Sequence, residues 1–86
     1  MWYFYVLQSL KEDTYFYRGS TGDLRKRLQE HNNGLVKSTK PKLPYRVVYY
    51  EAYLFEKAAR IRESAVKNSG SINTPLLKRI KESLKE

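Results

Sequence analysis

Trp2-Tyr3-Phe4-Tyr5-Val6-Leu7 and, after a polar stretch, Tyr15-Phe16-Tyr17 are the segments that decide how this chain folds. The first is aromatic with the β-branched Val6 and the second wholly aromatic, a composition that suits a pleated, half-buried surface, and Lys11-Glu12-Asp13 between them supplies polar residues for a turn. A β-hairpin is expected. With its turn centred near Lys11, Tyr5 lies opposite Tyr17 or close to it, and the two-residue period of a strand sets Tyr3, Tyr5, Tyr15 and Tyr17 on one face.

Beyond the hairpin, Gly19-Ser20-Thr21-Gly22 ends the second strand. Thr21 is the expected N-cap of a helix over roughly Asp23 to Asn32 that closes at Asn33-Gly34. Leu24, Leu28 and His31 follow i, i+4, i+7 spacing and share its buried stripe, with Arg27 at the edge beside His31. Val36 to Pro44 mixes Ser, Thr and Pro with lysines and reads as a basic loop. Tyr45 to Glu51 gives a third strand, and Phe55 to Lys67 runs as a helix with Phe55, Ala59, Arg62 and Val66 inward. Asn68-Ser69-Gly70-Ser71 breaks that helix. Asn73-Thr74-Pro75 then starts a last one over about 74–85, whose apolar face is Leu76, Leu77, Ile80 and Leu84. The order β-β-α-β-α-α predicts an α/β (α+β) fold, a small three-stranded antiparallel sheet flanked by helices, in one domain over 1–86 with its core at about 2–67.

With 86 residues and no cysteine, stability must come from packing, to which eight tyrosines, three phenylalanines and one tryptophan contribute. Seventeen Lys and Arg against nine Asp and Glu give a net charge of +8, which favours a polyanionic partner. No apolar run approaches a membrane span and the aromatic start is too short for a signal peptide, so a cytoplasmic protein without membrane attachment is expected. Its length suits a monomer or a homodimer.

Two tyrosine-bearing strand segments, Arg27 and His31 one helical turn apart, and Glu63 within a later helix form an ordered set. It holds a base candidate, a fixed cation and a lone carboxylate on a basic domain, the parts needed to hydrolyse a phosphodiester with one divalent metal. Arg27 suits the phosphoryl oxygens because its planar fork stays protonated and grips two of them. Glu63 is the one carboxylate assigned to metal, since a single carboxylate with substrate phosphate and waters is a usual way to hold Mg²⁺. The plainer reading of Glu63 is an ion pair with Lys67 at i+4 or Arg60 at i−3.

This set resembles the GIY-YIG endonuclease domain family, in particular small stand-alone members related to the catalytic domain of the excinuclease C subunit. The resemblance runs from about Trp2 to Lys67. Tyr3-Phe4-Tyr5 matches the first motif and Tyr17-Arg18-Gly19 the second, followed by the Asp23 to Leu28 helix, Glu30-His31-Asn32-Asn33-Gly34, Tyr49-Tyr50-Glu51 and the helix segment ending at Glu63. It implies a metal-dependent DNA endonuclease, cutting one strand per active site, with Tyr5, Tyr17, Arg27, His31 and Glu63 as the catalytic residues. In this scheme Tyr5 is the general base, Tyr17 holds water or a phosphate oxygen, and His31 bonds the phosphate or relays the proton. Mg²⁺ is the implied cofactor, with Mn²⁺ able to substitute. Three residues depart from the pattern. Tyr3 replaces the first-motif glycine, Arg18 replaces an apolar residue, and Ser20 stands where some relatives have a lysine.

DNA is the expected partner, with RNA left open, and Arg25, Lys26, Lys37, Lys40, Lys42 and Arg46 are the candidates for backbone phosphate contacts. No separate recognition module is apparent, which points to low sequence specificity or to a targeting protein partner, in a repair or recombination setting where DNA structure selects the site. The rival expectation is a nucleic-acid-binding module that keeps the fold without turnover.

Overall fold

Strand β1 (Trp2–Ser9) runs down the middle of a three-stranded antiparallel sheet of order β2-β1-β3 in a computed structural model that describes residues 1–85. Four consecutive residues, Phe4 to Leu7, are fully buried, because a central strand covered on both faces needs an unbroken apolar run rather than alternation. β2 (Phe16–Thr21) and β3 (Tyr45–Tyr53) pair with its two edges. α1 (Leu24–Asn32) lies on one face, where Leu24 and Leu28 pack with Tyr5, Leu7, Tyr17 and Tyr45. α2 (Glu56–Asn68) and α3 (Gly70–Ser83) lie on the other, where Val66, Leu76 and Ile80 pack with Phe4, Val6 and Phe16. The α+β fold and its element order are those expected from the sequence. Among the described residues no helix is long and apolar enough to cross a membrane.

A bulge in β3 opposite Val6 and Leu7 decides which face its later residues take. Val47 pairs with Leu7 and Tyr49 with Val6, so Val48 is the extra residue and the alternation shifts by one. Tyr50 then shares the face of Tyr5. Glu51 turns to α2, where it accepts hydrogen bonds from Tyr49, Tyr53 and both Nε and Nη2 of Arg62.

Several local expectations need correction. Tyr5 is opposite Gly19, and Tyr17 is opposite Leu7, so the two phenols are diagonal neighbours; Tyr15 lies just outside β2. Asp23, not Thr21, caps α1: its Oδ1 accepts the Lys26 N–H at 3.0 Å, while Thr21 Oγ1 accepts the Asp23 N–H. Phe55 is itself the cap position of α2 in extended conformation and is 72% exposed, so the inner stripe begins at Ala59. Only Ser69 separates α2 from α3, which begins before Pro75 rather than at it. The cause is Ile72, which extends the stripe of Leu76, Ile80 and Leu84 one turn upstream. The proline there removes a single backbone donor near the helix start. β3 continues to Tyr53, and the basic loop contains a short 3₁₀ turn over Lys40–Lys42.

Candidate active site

The site forms along edge strand β2, reached by α1 from one face of the sheet and by α2 from the other. At its centre is Tyr5, 1% exposed despite its polar tip. A Cβ on Gly19 would lie 2.4 Å from the Tyr5 hydroxyl oxygen, so the phenol occupies space that only a glycine leaves open. That hydroxyl is 2.9 Å from His31 Nε2.

His31 is fully buried, and α1 is pinned at this point by its neighbour Asn32, whose side chain bonds both the N–H and the C=O of Tyr45. The imidazole is ringed by Tyr5, Tyr17 and Tyr45, with ring centroids 5.9, 5.2 and 6.1 Å away. Its Nδ1 is 2.7 Å from the hydroxyl of Thr39, which is also 3.3 Å from the Val36 carbonyl. We assign the His31 proton to Nδ1, with Thr39 accepting it and placing its own proton toward the Val36 carbonyl. Nε2 is then the acceptor, and the Tyr5 hydroxyl donates to it.

Charge states follow from this enclosure. Burial, reinforced by the positive charge of Arg27 and only partly offset by Glu30, pushes His31 down to about 4, so it is neutral at physiological pH. Burial pushes Tyr5 up to about 12; the hydrogen bond and charge of Arg27 oppose the rise, while Tyr17 and Glu63 add to it. The resting phenol is therefore protonated.

Arg27 is half-exposed and pairs with Glu30 through Nη1 at 3.1 Å. That bond occupies one of its five N–H donors, and the guanidinium also reaches the Tyr5 hydroxyl. It borders an open depression of about 390 Å³ that extends from Trp2 and Ser20 past Lys26 to Arg60. Glu63 stands at the opposite side of β2. The Ser20 hydroxyl donates to its Oε1 at 2.5 Å and the Lys67 ammonium to its Oε2 at 2.7 Å. Arg60, the other anticipated partner, pairs with Glu56 instead.

Tyr17 meets His31 edge to face and turns a ring face to Lys67, whose Nζ lies 5.4 Å from the centroid. The fold thus brings Tyr5, Tyr17, Arg27 and His31 into one cluster, with Glu63 across β2 and close enough to act on the charge of Tyr5. Arg18 is not part of it. Alternation along β2 turns Arg18 away from Tyr17 and Gly19, and its buried Nε has no hydrogen-bond partner among the described residues.

Sequence reasoning overlooked Thr39, which lies in the segment read as a basic loop yet is fully buried. Its signal, a small hydroxyl amid lysines and prolines, does not distinguish a buried partner from a solvated turn. In the sequence Ser20 stands out only as a position without a lysine, whereas in the fold it holds the Glu63 carboxylate. Among the expected phosphate contacts, Lys26 borders the Arg27 depression and Arg25 an opening beside Tyr3. Lys37 and Lys40 are exposed on the loop. Lys42 is paired with Glu12, and Arg46 donates twice to Gln8 Oε1 at 2.9 and 2.8 Å, toward the far end of β1.

The GIY-YIG catalytic domain model matches residues 1–74. UPF0213 proteins from Streptococcus pyogenes serotypes M3, M1 and M4 are each 41% identical over 66 residues, which is 76% of this chain and 70% of theirs.

Proposed function

Because this chain belongs to the GIY-YIG catalytic domain family, and so has a nuclease-type function, we propose that it is a metal-dependent endonuclease that hydrolyses DNA one strand at a time. The observation that carries the reading is the bond from the buried Tyr5 hydroxyl to a neutral His31, with Arg27 beside it. A phenol pushed up to about 12 is a poor base alone. It becomes an effective one as a relay, accepting a proton from the attacking water while its own passes to His31 Nε2. Thr39 holds the other side of the imidazole and keeps it aimed.

Burial is the main cost of charging His31 and Arg27 adds to it; an incoming phosphate offsets the Arg27 part by placing negative charge beside the guanidinium, which eases the transfer. The free donors of Arg27 then stabilise charge on the phosphoryl oxygens.

Glu63 fits a metal of the magnesium type. Among the described residues no group of three or more His, Cys, Asp or Glu forms a cage, and Mg²⁺ is commonly held by one or two carboxylates, waters and substrate phosphate. Mg²⁺, or Mn²⁺ in its place, supplies positive charge where negative charge develops on the phosphate. Ser20 keeps Oε1 directed, and Lys67 neutralises Oε2 in the free protein.

Labelled single-stranded, duplex and branched DNA with Mg²⁺ or Mn²⁺ tests this reading. Cutting is expected, with EDTA and the substitutions Glu63→Ala and Tyr5→Phe each abolishing it. A second reading, a binding module without turnover, draws on the Lys67–Glu63 pair, which occupies the carboxylate. Salt-sensitive binding of every strand with no cutting in either metal decides for that alternative.

A further inference from the structure

The face of the sheet that carries Tyr5 continues outward into a second feature that the hydrolytic site does not use. Tyr3 is one strand period from Tyr5, about 7 Å along β1, and Tyr50 pairs directly with Tyr5 across β3. The Tyr3 and Tyr50 rings meet edge to face, centroids 5.9 Å apart and planes at 71°. Tyr50 is 57% exposed. Together they border an open hollow of about 340 Å³ that Gly22, Asp23, Leu24 and Arg25 close on the other side.

The pair leaves most of the Tyr50 ring in water, so aromatic surface remains open to a ligand. The hollow meets the Arg27 depression at Gly22 and Asp23, which border both. The two differ in chemistry. Around the depression Lys26, Arg27 and Arg60 outnumber Asp23 and Glu30, which suits an anionic backbone. The hollow offers aromatic surface with Arg25 balanced by Asp23, which suits a base better than a phosphate. Exposed aromatic faces beside a cationic track are the usual platform for unstacked nucleobases, and a base inside an intact duplex has no face to offer.

We propose that Tyr3 and Tyr50 form a stacking shelf for one unpaired base next to the scissile phosphate, so that the site favours single-stranded or splayed nucleic acid over continuous duplex. This rests on the nuclease reading for the class of ligand. Tyr3 has a role under this proposal at the position where the family's first motif has glycine. The bulge in β3 contributes as well, since it is the shift in alternation that brings Tyr50 to this face.

The test measures binding rather than cutting, in a Glu63→Ala background that leaves substrate intact. Fluorescence anisotropy compares a short oligothymidylate, an abasic strand of equal length and charge, and a duplex. The oligothymidylate is expected to bind between about fivefold and a hundredfold more tightly than the abasic strand, the range that one base stack provides. Tyr50→Ala should erase that preference, Tyr50→Phe should keep it, and duplex affinity should stay the same in all three. Because Tyr50 is exposed, its substitutions leave the fold intact, which a thermal melt checks. An unchanged preference in Tyr50→Ala, an equal loss on every strand, or no preference in the parent overturns the shelf. Metal-dependent cutting by the chain with Glu63 intact is scored separately, so the nuclease reading and the shelf fail by different observations.

Discussion

Tyr5 and Gly19 face each other across β1 and β2 so closely that a single methyl group on the glycine would lie 2.4 Å from the phenolic oxygen and 2.6 Å from the carbon that bears it. The glycine of the second motif is there to make room for the tyrosine of the first. Gly19→Ala must therefore push the Tyr5 hydroxyl off His31 Nε2 or spread the two strands. Overpacking of this kind costs about 1–3 kcal/mol of stability, and displacing a reacting group by about 1 Å costs on the order of a hundredfold in rate. Parallel thermal melts and cleavage assays check it. An alanine variant that cuts at the parent rate would show that the phenol's position is unimportant.

Thr39 makes a similar contribution from the other side of the imidazole. Thr39→Val keeps the shape and removes the hydroxyl, leaving the His31 Nδ1–H buried without its partner at 2.7 Å. The penalty for such an unsatisfied donor is about 1–3 kcal/mol. Activity is expected to fall further than that loss of stability explains, because Nδ1 loses the partner that fixes the ring's tautomer and its alignment toward Tyr5. Cleavage assayed well below the melting temperature separates the two effects. Equal activity in the variant contradicts the relay.

How far the sequence reveals such relationships depends on their range. The hairpin, the helix stripe of Leu24, Leu28 and His31, and the last helix's apolar face were legible because they rest on local periodicity. The contact of Tyr5 with Gly19 was not, since it depends on a register that the turn alone leaves open by two residues. Thr39 and Ser20 were illegible for a different reason. A buried hydroxyl and a solvated one have the same local sequence, and only the approach of His31 or Glu63 distinguishes them. Phe55 misled because an aromatic residue at helical spacing looks like core, while its place before the first turn of α2 leaves it in solvent. Pro75 misled because a proline looks like a helix start, when Ile72 had already begun the stripe.

His31 is the sole histidine, so its proton resonances report one residue. Burial and Arg27 push it down to about 4 from the 6.5 of a free imidazole. The unfolded chain then binds more protons than the folded one between those values, and stability falls as pH drops from about 6.5 toward 4 by on the order of 3 kcal/mol. An NMR titration is expected to show a neutral ring down to pH 5 and a fall in melting temperature over the same interval. A midpoint near 6.5 would mean that the imidazole is not enclosed as described.

Glu51 gives a second, separate acid response on the other face of the sheet. Burial raises its pKa, but the hydrogen bonds from Tyr49, Tyr53 and Arg62 outweigh burial and hold the carboxyl below its ordinary value. A depressed carboxylate stabilises the fold above the unfolded value, about 4.3, and that contribution is lost as pH falls through the folded one. Glu51→Gln should be less stable than the parent at pH 7, and the difference should shrink in acid below pH 4. Urea melts at several pH values read this. A constant difference across the range would remove the titration of Glu51 as its origin.

If Glu63 holds a divalent cation as proposed, the Lys67 ammonium is its nearest competitor. Oε1 of Glu63 accepts from Ser20 and Oε2 from Lys67 at 2.7 Å, so under the proposed metal role the ammonium would compete with the cation for the carboxylate's charge. The pair is partly exposed and of i,i+4 type, so its strength is modest, about 0.3–1 kcal/mol. Lys67→Met keeps the aliphatic length against Tyr17 and removes the charge. Mn²⁺ binding followed by electron paramagnetic resonance is expected to tighten by about two- to fivefold in this variant, and Ser20→Ala, which frees the other oxygen to wander, should weaken it. Were Lys67→Met to bind Mn²⁺ no better than the parent while Glu63→Ala bound it equally well, the cation would be held elsewhere, and Glu63 would be a structural link between β2 and α2.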